Sequence, residues 1–283
     1  MPLVTSENML ARAQKEHWAV AAFNAENMEM IQAIISAAEQ LSAPVMIQTT
    51  PGTLKYGNLD LFFAITSALA GKSPSEVAIH LDHGDSFSLA SQALRAGYTS
   101  VMIDGSKKIL SENIAITESV VRICKPNKVP VEGELGKVGG KEDDSTDSGT
   151  GYTDPEEAVE FVDKTGVSSL AVGVGTAHGI YAKTPVLNVE LISILKNKIP
   201  VPLVLHGASG LSADVLRDCI QRGICKVNFA TDLRMAYTQA VKDYLQQKQG
   251  DFDPKKYGSA ARDAVCAKAM EFIRICGAAG RLN

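Results

Sequence analysis

The chain has few cysteines, no long apolar run and no concentration of basic charge, and each shortage removes a class of function. Its five cysteines (Cys124, Cys219, Cys225, Cys266, Cys276) are scattered and form no C-x-x-C pair. In a chain of this length that pattern argues for reduced thiols in the cytoplasm, not a disulfide frame or a cysteine-ligated zinc. No stretch of 18 apolar residues occurs, so no membrane span is expected. The formal charge of -4 is mild and spread out, with no basic run of the kind that tracks a phosphate backbone, so nucleic acid is not expected as a partner. Residues 1–18 carry Glu7, Arg12, Lys15 and Glu16 among their apolar positions, which is not the pattern of an export signal. An early G-x-G-x-x-G is also missing, which counts against an open, doubly wound nucleotide-binding sheet.

What is present is alternation. Short runs rich in Val, Ile and Leu fall at 19–23, 44–48, 77–81, 99–103, 129–133, 168–174, 201–205 and 224–229. Between them lie segments of helical spacing, such as the stripes Met28-Ile31-Ile34-Ile35-Ala38 and Ile114-Thr117-Val120-Val121-Cys124. Near-continuous apolar strands suit parallel strands covered on both faces. The spacing predicts a (β/α)8 TIM barrel, one domain over residues 1–283 with extra C-terminal helices after residue 250. Asp154-Pro155-Glu156-Glu157 is a helix start, and Ser212 with Asp214 is another. The polar stretch 137–152 is too long for an ordinary connection and predicts a mobile lid.

Active sites of such barrels form where the strands end. Those ends read Asn24, Thr50, Asp82-His83, Asp104, Glu134, His178, His206 and Asn228, which places three of the five histidines on one rim. Three neutral imidazoles leave an open position on a zinc ion, the catalytic arrangement. Singly each histidine would be a hydrogen-bonded structural residue; together they predict a metal centre, with His17 and His80 left to packing or supporting roles. Strand alternation turns Asp82 and His83 different ways, so Asp82 is expected to face substrate as a proton-transfer carboxylate while His83 ligates metal. Asp104 and Glu134 are expected either to orient a ligand histidine or to join a second metal position. His206-Gly207-Ala208-Ser209-Gly210 and Asn228-Phe229-Ala230-Thr231 set small residues and hydroxyls just ahead of helices, where free N–H groups favour a phosphate.

The runs HLDHG (80–84), VMIDGS (101–106), VEGELGKVGGKEDD (131–144), VGTAHGIYAKTP (174–185), LVLHGASG (203–210) and KVNFATDL (226–233) resemble the class II, metal-dependent ketose-bisphosphate aldolases, and within them the tagatose-1,6-bisphosphate branch. The likeness runs from MPLVTSENML to CGAAGR. It implies a zinc ion on His83, His178 and His206, and a second, buried metal position touched by Asp104 and Glu134. It implies that Asp82 exchanges a proton with the substrate C4 hydroxyl and that Glu142 in the lid moves a proton at the enediolate carbon. Substrate contacts are implied for Asn24, Thr50, Gly179, Lys183, Gly207, Ala208, Ser209, Asn228, Phe229, Ala230 and Thr231, with a monovalent cation (sodium or potassium) on carbonyls near Gly179 and Gly207. Thr50 stands where some relatives have serine. The implied reaction is reversible cleavage of D-tagatose 1,6-bisphosphate, or alternatively its C4 epimer fructose 1,6-bisphosphate, to dihydroxyacetone phosphate and glyceraldehyde 3-phosphate. A cytoplasmic homodimer or homotetramer, with a companion subunit in some relatives, is also implied, and Arg281 is a candidate phosphate contact for a neighbouring subunit. Three rival readings fit the residues less well. A Schiff-base aldolase needs a lysine at a strand exit, and Lys226 lies at the entrance of its strand. A metallohydrolase needs neither a lid glutamate nor two phosphate turns. A non-catalytic sugar-phosphate-binding subunit would have no use for Asp82 and Glu142 beside three histidines.

Overall fold

The computed structural model describes residues 3–142, 145–147, 151–179 and 185–282, without the side chains of 141–147. In chain order, α1 (Ser6–Glu16) precedes β1 (Val20–Asn24), α2 (Met28–Gln40), β2 (Val45–Thr49), α3 (Pro51–Gly57), α4 (Leu59–Ala70), β3 (Val77–Gly84), α5 (Phe87–Ala96), β4 (Ser100–Ile103), α6 (Leu110–Cys124) and β5 (Val131–Leu135). Two short strands follow, β6 (Gly139–Glu142) and β7 (Ser145–Asp147). The order then continues with α7 (Pro155–Thr165), β8 (Ser169–Val172), β9 (Ala177–His178), α8 (Val189–Lys198), β10 (Leu203–Leu205), α9 (Ala213–Arg222), β11 (Ile224–Phe229), α10 (Thr231–Gln247) and α11 (Pro254–Ile275).

Eight of these strands close into a parallel barrel in the order β1-β2-β3-β4-β5-β8-β10-β11 and back to β1. This is the (β/α)8 architecture, and its strands coincide with the eight apolar runs to within a few residues. All of β1, β2, β5 and β11 is buried, as expected of strands covered by helices outside and filled by side chains inside. Local chemistry starts the helices: Asn27 accepts from Met30 N–H, Ser212 from Val215 N–H, and Asp154 from both Glu156 and Glu157 N–H. No described helix is long and apolar enough to cross a membrane.

Helix α1 closes the end where the strands begin. Val4 N–H donates to Val77 O at 2.9 Å, and the Ser6 and Ser100 hydroxyls meet at 3.0 Å. The C-terminal extension is one long helix, α11, where more than one was expected. It packs on the barrel itself, with Phe272 stacked on Phe229 at 3.9 Å and Phe229 on Phe23 at 5.7 Å. Ala19 N–H bonds Cys276 O at 2.9 Å, tying the end of α11 to the start of β1. Arg281 lies at this floor, paired with Glu16 at 2.9 Å, on the side opposite the strand ends.

Within 137–152, the described residues include two paired strands. Strand β6 pairs antiparallel with β7 and parallel with β9, so the hairpin is bonded to the segment carrying His178. Glycine is required at the join: Gly140 has φ +96°, and a Cβ there would lie 2.2 Å from His178 O.

Candidate active site

Asp82 and His83 share the barrel mouth for a reason that alternation does not supply. A regular strand would send His83 outward to the helix layer. Instead β3 shifts register between Leu81 and Gly84, and His83 takes a left-handed backbone with φ +47°, which swings its ring back over the mouth. Asp82 is fully buried beside it. Asn24 Nδ2 donates to Oδ2 at 2.8 Å and Asn228 Nδ2 to Oδ1 at 3.2 Å. Gln48 in turn holds Asn24, donating to its Oδ1 at 3.0 Å.

The three rim histidines converge. Ring centres of His83 lie 5.1 Å from His178 and 4.7 Å from His206, and those of His178 and His206 are 6.0 Å apart. One nitrogen of each lies within 4.8 Å of the others, an arrangement able to hold a metal ion. His83, Asp104 and Glu134 form a second such group that shares His83. Carboxylates settle which nitrogens face inward. His83 Nδ1 is 3.0 Å from Asp104 Oδ2, and His206 Nε2 is 2.9 Å from Glu132 Oε1, so each of these nitrogens carries the proton and donates. The remaining nitrogens, His83 Nε2 and His206 Nδ1, present lone pairs to each other at 2.9 Å. A cation is what such a pair of neutral imidazoles would accommodate. Glu134 Oε2 lies 3.5 Å from His206 Nδ1 and 3.9 Å from His83 Nδ1.

Electrostatics follow the packing. Burial alone would raise the Asp104 carboxyl, but the hydrogen bonds from His83 and Ser106 outweigh it and hold it well below its usual range. Glu132 behaves alike: burial opposes ionisation, and the Lys226 ammonium with His206 overrides it. His206 is held below the ordinary imidazole value chiefly by burial.

Beside the histidines, one pocket is lined by Asn24, His178, Gly179, Gly207, Ala208, Ser209, Asn228, Ala230, Thr231 and Arg234. Ala230 gives α10 no side-chain cap, and Ala230 and Thr231 at the start of this long helix line the pocket. Gly210 N–H donates to Asp232 at 3.2 Å, joining the two small-residue turns. Gly207 has φ +66°, and a Cβ there would stand 2.6 Å from Ala177 O, so the turn lies directly against the segment bearing His178.

Other expected residues are placed differently. The Phe229 ring is buried between Phe23 and Phe272, so only its backbone is available to the pocket. Thr50 is buried and caps α3, its hydroxyl accepting from Thr53 N–H at 3.3 Å. Lys183 lies outside the described residues, and so does the side chain of Glu142, whose backbone ends β6. The sequence reading missed Glu132 and Arg234, and considered Lys226 only as a Schiff-base lysine. Arg234 lines the pocket and is held by Glu26 at 2.6 Å, while Glu26 accepts from Thr53 Oγ1 at 2.6 Å. The available signal was an arginine in the first turn of a helix whose N-terminus already looked built for an anion.

Similarity to known proteins agrees with this geometry. The family model for fructose-bisphosphate aldolase class II matches residues 4–281. The YdjI aldolase of Escherichia coli K12 is 35% identical and superposes with a TM-score of 0.89, the match covering 99% of this chain and 100% of that one. A protein from Coccidioides immitis, provisionally assigned as a fructose-1,6-bisphosphate aldolase, is 28% identical with a TM-score of 0.89, over 97% of this chain and 96% of its own. The fructose-bisphosphate aldolase of Campylobacter jejuni shares the fold at 21% identity and a TM-score of 0.83, over 98% and 96%. Matched from Val4 to Arg281, the chain belongs to the class II fructose-bisphosphate aldolase family.

Proposed function

We propose that the chain is a zinc-dependent aldehyde-lyase that reversibly cleaves D-tagatose 1,6-bisphosphate to dihydroxyacetone phosphate and D-glyceraldehyde 3-phosphate. The observation that carries this reading is the cluster of His83, His178 and His206 beside the amide-held Asp82 and next to an anion pocket. The donor set suits zinc: three imidazoles, two with the outer nitrogen engaged by a carboxylate and the inner one bare. His83, His178 and His206 would hold the ion, and the group of His83, Asp104 and Glu134 supports a second position. A bound divalent ion would supply Lewis-acid polarisation and stabilise negative charge developing on the substrate oxygens.

The chain's own residues do the rest. The pocket at Gly179, Gly207–Ser209 and Asn228–Thr231 binds the phosphate of the dihydroxyacetone half through backbone N–H groups, and Arg234 adds positive charge. That contact places the C4 hydroxyl at Asp82. As a carboxylate, Asp82 takes the hydroxyl proton while the C3–C4 bond breaks, which releases the aldehyde and leaves an enediolate. Asn24 and Asn228 occupy one lone pair on each Asp82 oxygen and so fix its aim. Glu142, on the hairpin, returns a proton to C3. The hairpin excludes water from the enediolate.

The motifs TTPGT (49–53) and GTAHGIY (175–181) support tagatose; the family's name and its fructose-bisphosphate aldolase relatives favour the C4 epimer, with the same mechanism. We further infer one domain over residues 1–283, acting in the cytoplasm as a homodimer or homotetramer, with a sodium or potassium ion near Gly179 and Gly207 and with a companion subunit as a partner. The five free cysteines support a reducing compartment. A coupled assay of both epimers tests the substrate. Higher kcat/KM for tagatose, abolished by a chelator and restored by zinc, is the expected result. Chelator-resistant cleavage defeats the mechanism, and preference for fructose replaces the substrate.

A further inference from the structure

One level below the histidines, the barrel interior holds ionisable groups that no solvent reaches. Lys226 of β11 and His80 of β3 are 0% exposed, and Glu132 of β5 is 2% exposed. Lys226 Nζ donates to Glu132 Oε2 at 2.8 Å and stands 3.5 Å from His80 Nε2. His80 Nδ1 is 2.7 Å from Ser100 Oγ, which in turn meets Ser6 of α1 at 3.0 Å. The assembly is thus anchored from the barrel floor upward. At its top, the second oxygen of Glu132 is 2.9 Å from His206 Nε2.

A buried ion pair is a poor device for stability, because desolvating both charges offsets most of their attraction, and apolar side chains would fill the same space. Its geometry has a different use. A neutral imidazole has one N–H and one lone pair. With its N–H on Nδ1, His206 would direct that proton at His83 Nε2, 2.9 Å away, and would set a lone pair against the carboxylate of Glu132. The carboxylate prevents this only while Oε1 points up the barrel, and the ammonium on Oε2 holds it there.

We infer that Glu132, held by Lys226, is the positioning residue for His206, accepting the Nε2 proton so that the bare Nδ1 faces the metal site. The inference rests on reading the three histidines as a metal centre. It adds a tier to that centre that does not touch the ion.

The test is zinc affinity by chelator competition and the visible spectrum of the cobalt(II) form, with folding of each metal-free variant checked by circular dichroism and thermal unfolding. The variant Glu132→Leu with Lys226→Met removes the pair without stranding a charge. It should bind zinc roughly 10- to 100-fold more weakly, with altered cobalt bands and an unchanged fold. The variant Glu132→Gln with Lys226→Met keeps an acceptor oxygen for His206, and should stay within a few-fold of the parent and retain its cobalt spectrum. Should the apolar variant not fold, this second one decides alone. Parent-like affinity in the apolar variant, or large loss in the glutamine variant, overturns the positioning role while the metal centre stands. A parent protein that binds no zinc overturns both.

Discussion

His83 Nε2 and His206 Nδ1 stand 2.9 Å apart, on rings whose outer nitrogens are both taken by carboxylates. Two lone pairs so placed repel until a cation joins them. Zinc should therefore raise the thermal stability of the metal-free protein, by about 2.7 kcal/mol at a hundredfold excess over Kd. His206→Ala should abolish the shift in a thermal scan. An equal zinc-induced shift in that variant would show that the ion binds elsewhere.

Asp82 is the carboxylate that two asparagine amides aim into the mouth. Asp82→Asn should lower kcat by about 10²- to 10⁴-fold, the usual worth of a positioned general base, with zinc content and KM little changed. Loss of zinc along with activity would instead mark Asp82 as a support for the ligand set.

Acid should unfold the metal-free protein early. Burial, with the Lys226 ammonium added in the case of His80, holds both His80 and His206 below the ordinary imidazole value of 6.5. Below that value the unfolded chain binds more protons than the folded one, so this part of the stability is complete above it and is lost as pH falls toward the folded values. Tm should be flat in mildly alkaline buffer and decline from about pH 6.5 downward. His80→Gln keeps hydrogen-bonding capacity but does not titrate, and should flatten the decline. An unchanged slope would remove His80 from this account.

Gly207→Ala tests the contact under His178. The new Cβ would meet Ala177 O at 2.6 Å on a backbone with φ +66°. The left-handed conformation alone costs roughly 1–2 kcal/mol for a residue with a Cβ. Chemical unfolding of the metal-free form should show a loss of about that size, and metal affinity should fall as well, since the strain bears on the segment of His178. Parent-like affinity would show that the turn yields freely.

Phe272→Ala probes α11 as part of the barrel. Its ring stacks on Phe229, which seals the seam between β1 and β11. Urea unfolding should show a loss of about 3–5 kcal/mol, the cost of deleting a buried aromatic side chain. A change below about 1 kcal/mol would mean that the helix is only loosely attached.

What could be read in advance follows from how local each signal is. Apolar runs ending in Asp82, Asp104, Glu134 and His206 sit on single strands, so the barrel and its reactive rim were visible from order alone. The turn of His83 was not visible, because a register shift between neighbouring strands has no period in one strand. The pairing of Glu132 with Lys226 was missed for a related reason. Each looks like a stray charge in an apolar strand, and only closure of β5 and β11 into one barrel shows the pair. A lone lysine in ICKVNF, once buried, requires an acid from another strand to neutralise it, and that requirement is the one signal the sequence carries.

His83 and His206 rise from staves of the barrel, whereas β9, the segment of His178, has β6 as its described strand neighbour. The third imidazole therefore stands on the small sheet of β6, β7 and β9 and not on a barrel strand. An ion held by all three would draw its donors from two sheets, and so would tie the small one to the barrel.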